Sequence, residues 1–167
     1  MAKGGSVKTT YSFNKLANKL AFNIVVGINQ LGKSINKEIG ENLKSEKDIN
    51  GKSFKPLKQS TVEIKERRGF PSRILKESGK MENRKLKQAT ITKPILTIEM
   101  THKGRKGYKY GSLHHTGYKT AEGSAIPGKK VPARKWFGVP KSCRKGGSEW
   151  KKAATRTTLL NRVAWKK

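Results

Sequence analysis

Residues 12–47, SFNKLANKLAFNIVVGINQLGKSINKEIGENLKSEK, set the fold class. Phe13, Leu16, Leu20, Ile24, Ile28, Leu31, Ile35, Ile39 and Leu43 recur at steps of three or four, the period that brings apolar side chains onto one stripe of a helix. The spacing predicts one long amphipathic helix with Ser12 as its N-cap. Gly27, Gly32 and Gly40 each weaken a helix by roughly 1 kcal/mol relative to alanine, so a kink or a close approach of another element is expected near its middle. Phe22, Val25 and Val26 widen the stripe there. The stretch is therefore covered on more than one side, by the chain's own sheet or by a neighbouring subunit.

Downstream, Asp48-Ile49-Asn50-Gly51 reads as a turn that stops the helix. Gly51 to Leu57 follows as an extended segment anchored by Phe54 and Leu57, and Gln59 to Glu66 reads as a short helix. Ser60 is its expected cap and Glu63 stands near the capping-box position, before a break over Arg67 to Pro71. Ala89 to Met100, with Ile91, Ile95, Leu96 and Ile98, predicts one or two strand segments, and Pro94 argues for an edge or a bulge. The run 102–109, HKGRKGYK, has the composition of a basic hairpin loop, with Tyr110 to Gly117 as the return strand. Lys119 to Lys130 reads as a mobile loop, and Val131 to Pro140 as an apolar cluster held extended by prolines. Beyond Gly147, Trp150, Ala153, Ala154, Thr157, Leu160 and Val163 mark a C-terminal helix with a basic outer face.

The expected fold is α+β: a long N-terminal helix, a small antiparallel or mixed sheet, a C-terminal helix and long basic loops. At 167 residues the chain suits one core. The expected organisation is a flexible arm over residues 1–11 and a single domain over 12–167. Hydrophobic residues make up only 33% of the chain, which predicts a thin core that neighbouring subunits help to complete.

Charge narrows the function. The chain holds 39 Lys and Arg against 11 Asp and Glu, a net charge of +28, far above what solubility needs. From Thr101 onward the only acids are Glu122 and Glu149. An acidic partner is implied. Lys103, Arg105, Lys106, Lys109, Lys129, Lys130, Arg134 and Lys135 are the candidate contacts to DNA or to an acidic protein. Tyr108, Tyr110 and Tyr118 interleave too sparsely for base stacking, so any nucleic-acid contact is sequence-independent and salt-sensitive.

Signals for catalysis are weak. His114-His115 invites a metal or general-base reading, but neighbours on a strand point to opposite faces and His102 is the only other histidine. Glu77 and Glu82 lack a second carboxylate pattern. No phosphate-binding glycine loop or nucleophile elbow occurs. Cys143, the single cysteine, excludes an intrachain disulfide and a cysteine-based zinc site. No cofactor or metal is expected. The N-terminal residues lack an apolar signal core and no stretch is apolar enough to span a bilayer, so neither secretion by a standard signal nor membrane insertion is expected.

Four segments in series resemble the virion morphogenesis family of tailed bacteriophages. Gly51-x-x-Phe54-x-Pro56-Leu57 with Thr61 and Lys65 is similar to the family's Gly, aromatic, Pro-Leu, Thr, Lys signature. Leu75-x-x-Ser78-Gly79-x-Met81, Tyr110-Gly111-Ser112-Leu113-His114-x-x-Gly117 and Pro132-Ala133-Arg134-x-Trp136-Phe137-Gly138 resemble its next three. Lys135 stands where the family has a second proline, and Met81 where leucine is common. The resemblance implies a non-enzymatic α+β subunit of a ring, a hexamer, made in the host cytoplasm and placed at the head-tail junction. Its implied partners are further copies and other neck, tail-tube or sheath proteins, with packaged DNA as the alternative target of the basic loops. Phe54, Pro56, Leu57, His114, Pro132, Trp136, Phe137 and Trp150 are the candidate subunit contacts. The rival reading from composition is a stand-alone basic nucleic-acid-binding protein; a nuclease is a third, weaker reading.

Overall fold

The computed structural model describes residues 13–76, 83–100, 110–123 and 127–165. Helix α1 spans Phe13–Lys44 and the short helix α2 spans Gln59–Arg67. Strands β1, Arg84–Lys87, and β2, Thr97–Met100, pair antiparallel, with Leu86 opposite Ile98. Helix α3 covers Tyr110–Thr116, a second antiparallel pair joins β3, Tyr118–Lys119, to β4, Lys130–Val131, and helix α4 runs over Ser148–Trp165 after a 3-10 turn at Lys141–Cys143. The fold is α+β, with two small antiparallel sheets between a long N-terminal and a C-terminal helix.

The period read from the sequence puts Ile35, Ile39 and Leu43 of α1 in the core with Phe54, Ile74, Trp136 and Cys143. The three glycines of α1 mark close approaches. Gly27 lies against Thr157 of α4, Gly32 against Leu96 and Gly40 against Arg84, each where a Cβ would collide. Polar groups tie the same contacts: Ser34 donates to Glu149 at 2.8 Å and Arg156 to Gln30 at 3.0 Å. On another side of α1, Asn29 both donates to and accepts from the backbone of Ala89, at 2.9 and 2.7 Å, replacing a strand partner. The turn after α1 forms as expected, with Asp48 Oδ1 accepting from the N–H groups of Asn50 and Lys52 and Gly51 at φ +82°.

Four expectations change. The stretch read as a return strand, Tyr110 to Gly117, is helix α3. Seven residues are too few to display a period, and two glycines decide the outcome. Gly111 lets the helix close on Trp136, whose indole N–H donates to the Gly111 carbonyl at 3.1 Å. Gly117 ends it in the left-handed region at φ +76°, with its N–H donating to the Leu113 carbonyl at 2.8 Å. The expected strand over Ala89 to Met100 shrinks to Thr97–Met100, and its partner β1 lies just before that stretch. Residues 90–95 form a turn held by Thr90, whose hydroxyl accepts from the Lys93 N–H at 3.0 Å. Lys58, not Ser60, occupies the cap position of α2, and it makes no side-chain capping bond. The loop expected over Lys119 to Lys130 begins and ends in the paired strands β3 and β4. Ser12, Ser78, Gly79 and Met81 lie outside the described residues.

Candidate functional site: a basic hairpin beside a proline-flanked strip

Strands β3 and β4 set Tyr118 opposite Val131 and Lys119 opposite Lys130. Like charges directly across a strand pair repel, so the hairpin needs other ties. Thr120 supplies them: its N–H donates to the Lys129 carbonyl at 3.0 Å, and its hydroxyl accepts from the Lys129 N–H at 2.8 Å. Lys119 and Lys130 are exposed and Lys129 is half-buried. Among the described residues the ion pairs are Lys37–Glu41, Arg73–Glu46, Lys87–Glu99 and Lys152–Glu149, and none includes a hairpin lysine.

The chain then passes into the strip 132–138, which is fastened on both sides. Gly117 brings α3 against the backbone of Ala133, and the Arg134 N–H donates to the His114 carbonyl at 2.8 Å. From the other side the Ile49 N–H donates to the Lys135 carbonyl at 2.9 Å. Side chains alternate across this anchored backbone. Arg134 and Trp136 turn inward, while Ala133 and Lys135 face solvent. Trp136 is fully buried and meets Phe137 edge to face at 5.5 Å.

The strip therefore sorts the sequence-predicted contacts. Phe54 and Trp136 belong to the chain's own core, with Leu57 and Phe137 packed partly buried against it. Pro56 is exposed, Pro132 and His114 are half-buried, and His114 meets the Tyr118 ring at 5.7 Å and 73°. Trp150 lines a cleft of about 310 Å³ between α1 and α4, with Ile24, Ile28, Leu31 and Ala154. Of the candidate cations, Lys129, Lys130, Arg134 and Lys135 lie close along one run of chain, whereas Lys103, Arg105, Lys106 and Lys109 fall outside the described residues.

Sequence reasoning missed two features. Lys119 joins the basic surface only through its cross-strand register with Lys130, which its position in the sequence does not reveal. Leu20, Phe22, Ile24, Ile91 and Ile95 are large, apolar and 44–59% exposed, although their spacing resembles that of buried positions.

Catalytic chemistry gains no support from the geometry. His114 and His115 are consecutive on a helix, about 100° apart, and not on opposite faces of a strand. Burial pushes the Cys143 thiol above its ordinary value, leaving it a protonated core residue beside Glu38 and Ser142. Among the described residues no three His, Cys, Asp or Glu side chains converge on a metal site, and no helix is long and apolar enough to cross a membrane.

No curated protein and no solved structure matches the chain. Residues 8–148, by contrast, match the phage virion morphogenesis family over all four motif segments and the whole of α1, so the chain belongs to that family, which supports a structural or morphogenesis role in the phage.

Proposed function

We propose that the protein is a tail-completion or tail-terminator subunit of the phage neck, forming a ring, a hexamer, that joins tail to head. Its work is fit between partners and not turnover of a substrate. The observation that carries this reading beyond family membership is the set of exposed apolar side chains on α1 and the 90–95 turn, in a chain whose core is small. A closed ring covers such surfaces and stabilises each subunit by mass action. The hairpin lysines and the strip's Lys135 then face the packaged genome in the channel or an acidic surface of an adjoining virion protein.

The net charge of +28 supports a second reading, a stand-alone nucleic-acid-binding protein. Salt separates the two. Apolar association between like-charged subunits strengthens as salt screens their repulsion, whereas phosphate binding weakens. The test is the solution mass of the purified chain across a salt series, beside filter binding to duplex DNA. A closed oligomer that tightens with salt supports the ring; a monomer at every salt that binds DNA tightly at low salt favours the rival. In the phage, changing Lys103, Arg105, Lys106, Lys129 and Lys130 together to serine is expected to impair assembly or DNA retention, and normal particles would remove the basic surface from the account.

A further inference from the structure

We propose that Arg134 is a socket for a carboxylate supplied by another protein subunit. The residue is only 7% exposed, yet among the described residues its guanidinium meets no carboxylate. Nη2 donates to the Lys55 carbonyl at 3.5 Å, the far limit of a hydrogen bond, and Nε is buried with no acceptor. An arginine cannot escape this by losing its proton, because guanidinium stays charged in proteins. Burial pulls its pKa down, opposed by charge interaction with Tyr118, and among the described residues no carboxylate pairs with the cation.

Removing a charge from water is repaid only by good partners. Among the described residues one weak carbonyl is the partner, so the site as described is incomplete. The backbone meanwhile holds the residue firmly, through the bond to the His114 carbonyl and the buried Trp136 two positions on. The guanidinium edge is thus positioned before its partner arrives. A planar carboxylate on a side chain matches the paired N–H donors of a guanidinium. Duplex phosphates are a poorer fit, since they lie on a stiff rod and reach exposed Lys135 before a recessed arginine. The inference rests on the reading of the chain as an assembly subunit, not on the ring as such.

The test follows the Arg134 Nε–H signal by NMR of the full chain, identified as the peak lost in Arg134→Lys. Sodium acetate is the probe, against sodium chloride at equal ionic strength and against a short DNA duplex. A saturating downfield shift with acetate alone is expected. No response to acetate, or an equal shift with the duplex, overturns the proposal. Arg134→Met supplies the stability readout: its thermal midpoint should equal or exceed that of the parent chain, because an uncompensated charge has gone. A lower midpoint would assign Arg134 to its own fold and overturn the socket. Concentrating the protein distinguishes the sources. Movement in step with rising mass identifies a second copy as donor; an acetate response in a chain that stays monomeric keeps the socket, assigns it to a different protein and sinks the ring.

Discussion

The two halves of α1 are built from the same apolar period and end up in different environments. In the C-terminal half Ile35, Ile39 and Leu43 are nearly inaccessible, locked between Phe54, Ile74 and Trp136. In the N-terminal half Leu20, Phe22 and Ile24 keep roughly half their surface in water. Periodicity reports that a face will be covered but not by what. One half is covered by the chain's own strip and turns. The other, flanked by α4 and the 90–95 turn, presents apolar surface that a virion subunit would bury against neighbours.

The contrast predicts a steep gradient of mutational effects along one helix and its partners. Trp136→Ala comes first. It opens a large cavity at a fully buried site and strips the Gly111 carbonyl of its indole donor, so a loss of about 3–5 kcal/mol is expected in urea unfolding, or failure to fold. Ile39→Ala, 1% exposed in the parent chain, should lose about 2–5 kcal/mol by the same measurement. Gly117→Ala is next: its positive φ alone costs about 1–2 kcal/mol, and a Cβ would lie 2.8 Å from the Ala133 nitrogen, so the strip should loosen from α3. Phe22→Ser is the discriminating case. With 54% of the residue exposed, the isolated chain should change by no more than about 0.5 kcal/mol, while the solution mass of any oligomer should fall. An unfolding loss as large as that of Ile39→Ala would erase the distinction between the halves.

The smallest effect is electrostatic and lies at the α1–α4 contact. The Lys152 ammonium and the Ser34 hydroxyl, both hydrogen-bonded to Glu149, hold its carboxyl below the usual value. A depressed carboxylate contributes stability that is present above its unfolded pKa and is lost as pH falls through the lower folded value. Acid titration below the ordinary carboxylate range should therefore loosen α4 slightly. Glu149→Gln should remove that part of the pH dependence, read as the change in thermal midpoint between neutral and acid pH.

The sequence announces α1 because nine apolar positions repeat through thirty-odd residues, enough for a period to emerge above its three glycines. Helix α4 is legible for the same reason. What was not legible is short or tertiary. The run 110–116 becomes helical because Gly111 admits Trp136 and Gly117 turns the chain, contacts made with a segment some twenty residues away. Strand β1, Arg-Lys-Leu-Lys, offers a single apolar residue and exists by pairing with β2. At the candidate site the cations could be named from composition, as could the Pro-Ala-Arg strip. That Arg134 lies beneath the surface while Lys135 stands on it follows from anchoring by Ile49 and His114, which lie far away in the chain. The four motif segments identified the family before any fold was visible, since a series of spaced residues records contacts that no local period can express.

Imaging of purified phage particles in which this subunit carries a bound label at its C-terminus tests the claim of a neck subunit most directly. The account predicts label confined to the junction of head and tail, in the number of copies of one closed ring. Label dispersed along the tail or over the capsid, or none on intact particles, would contradict it.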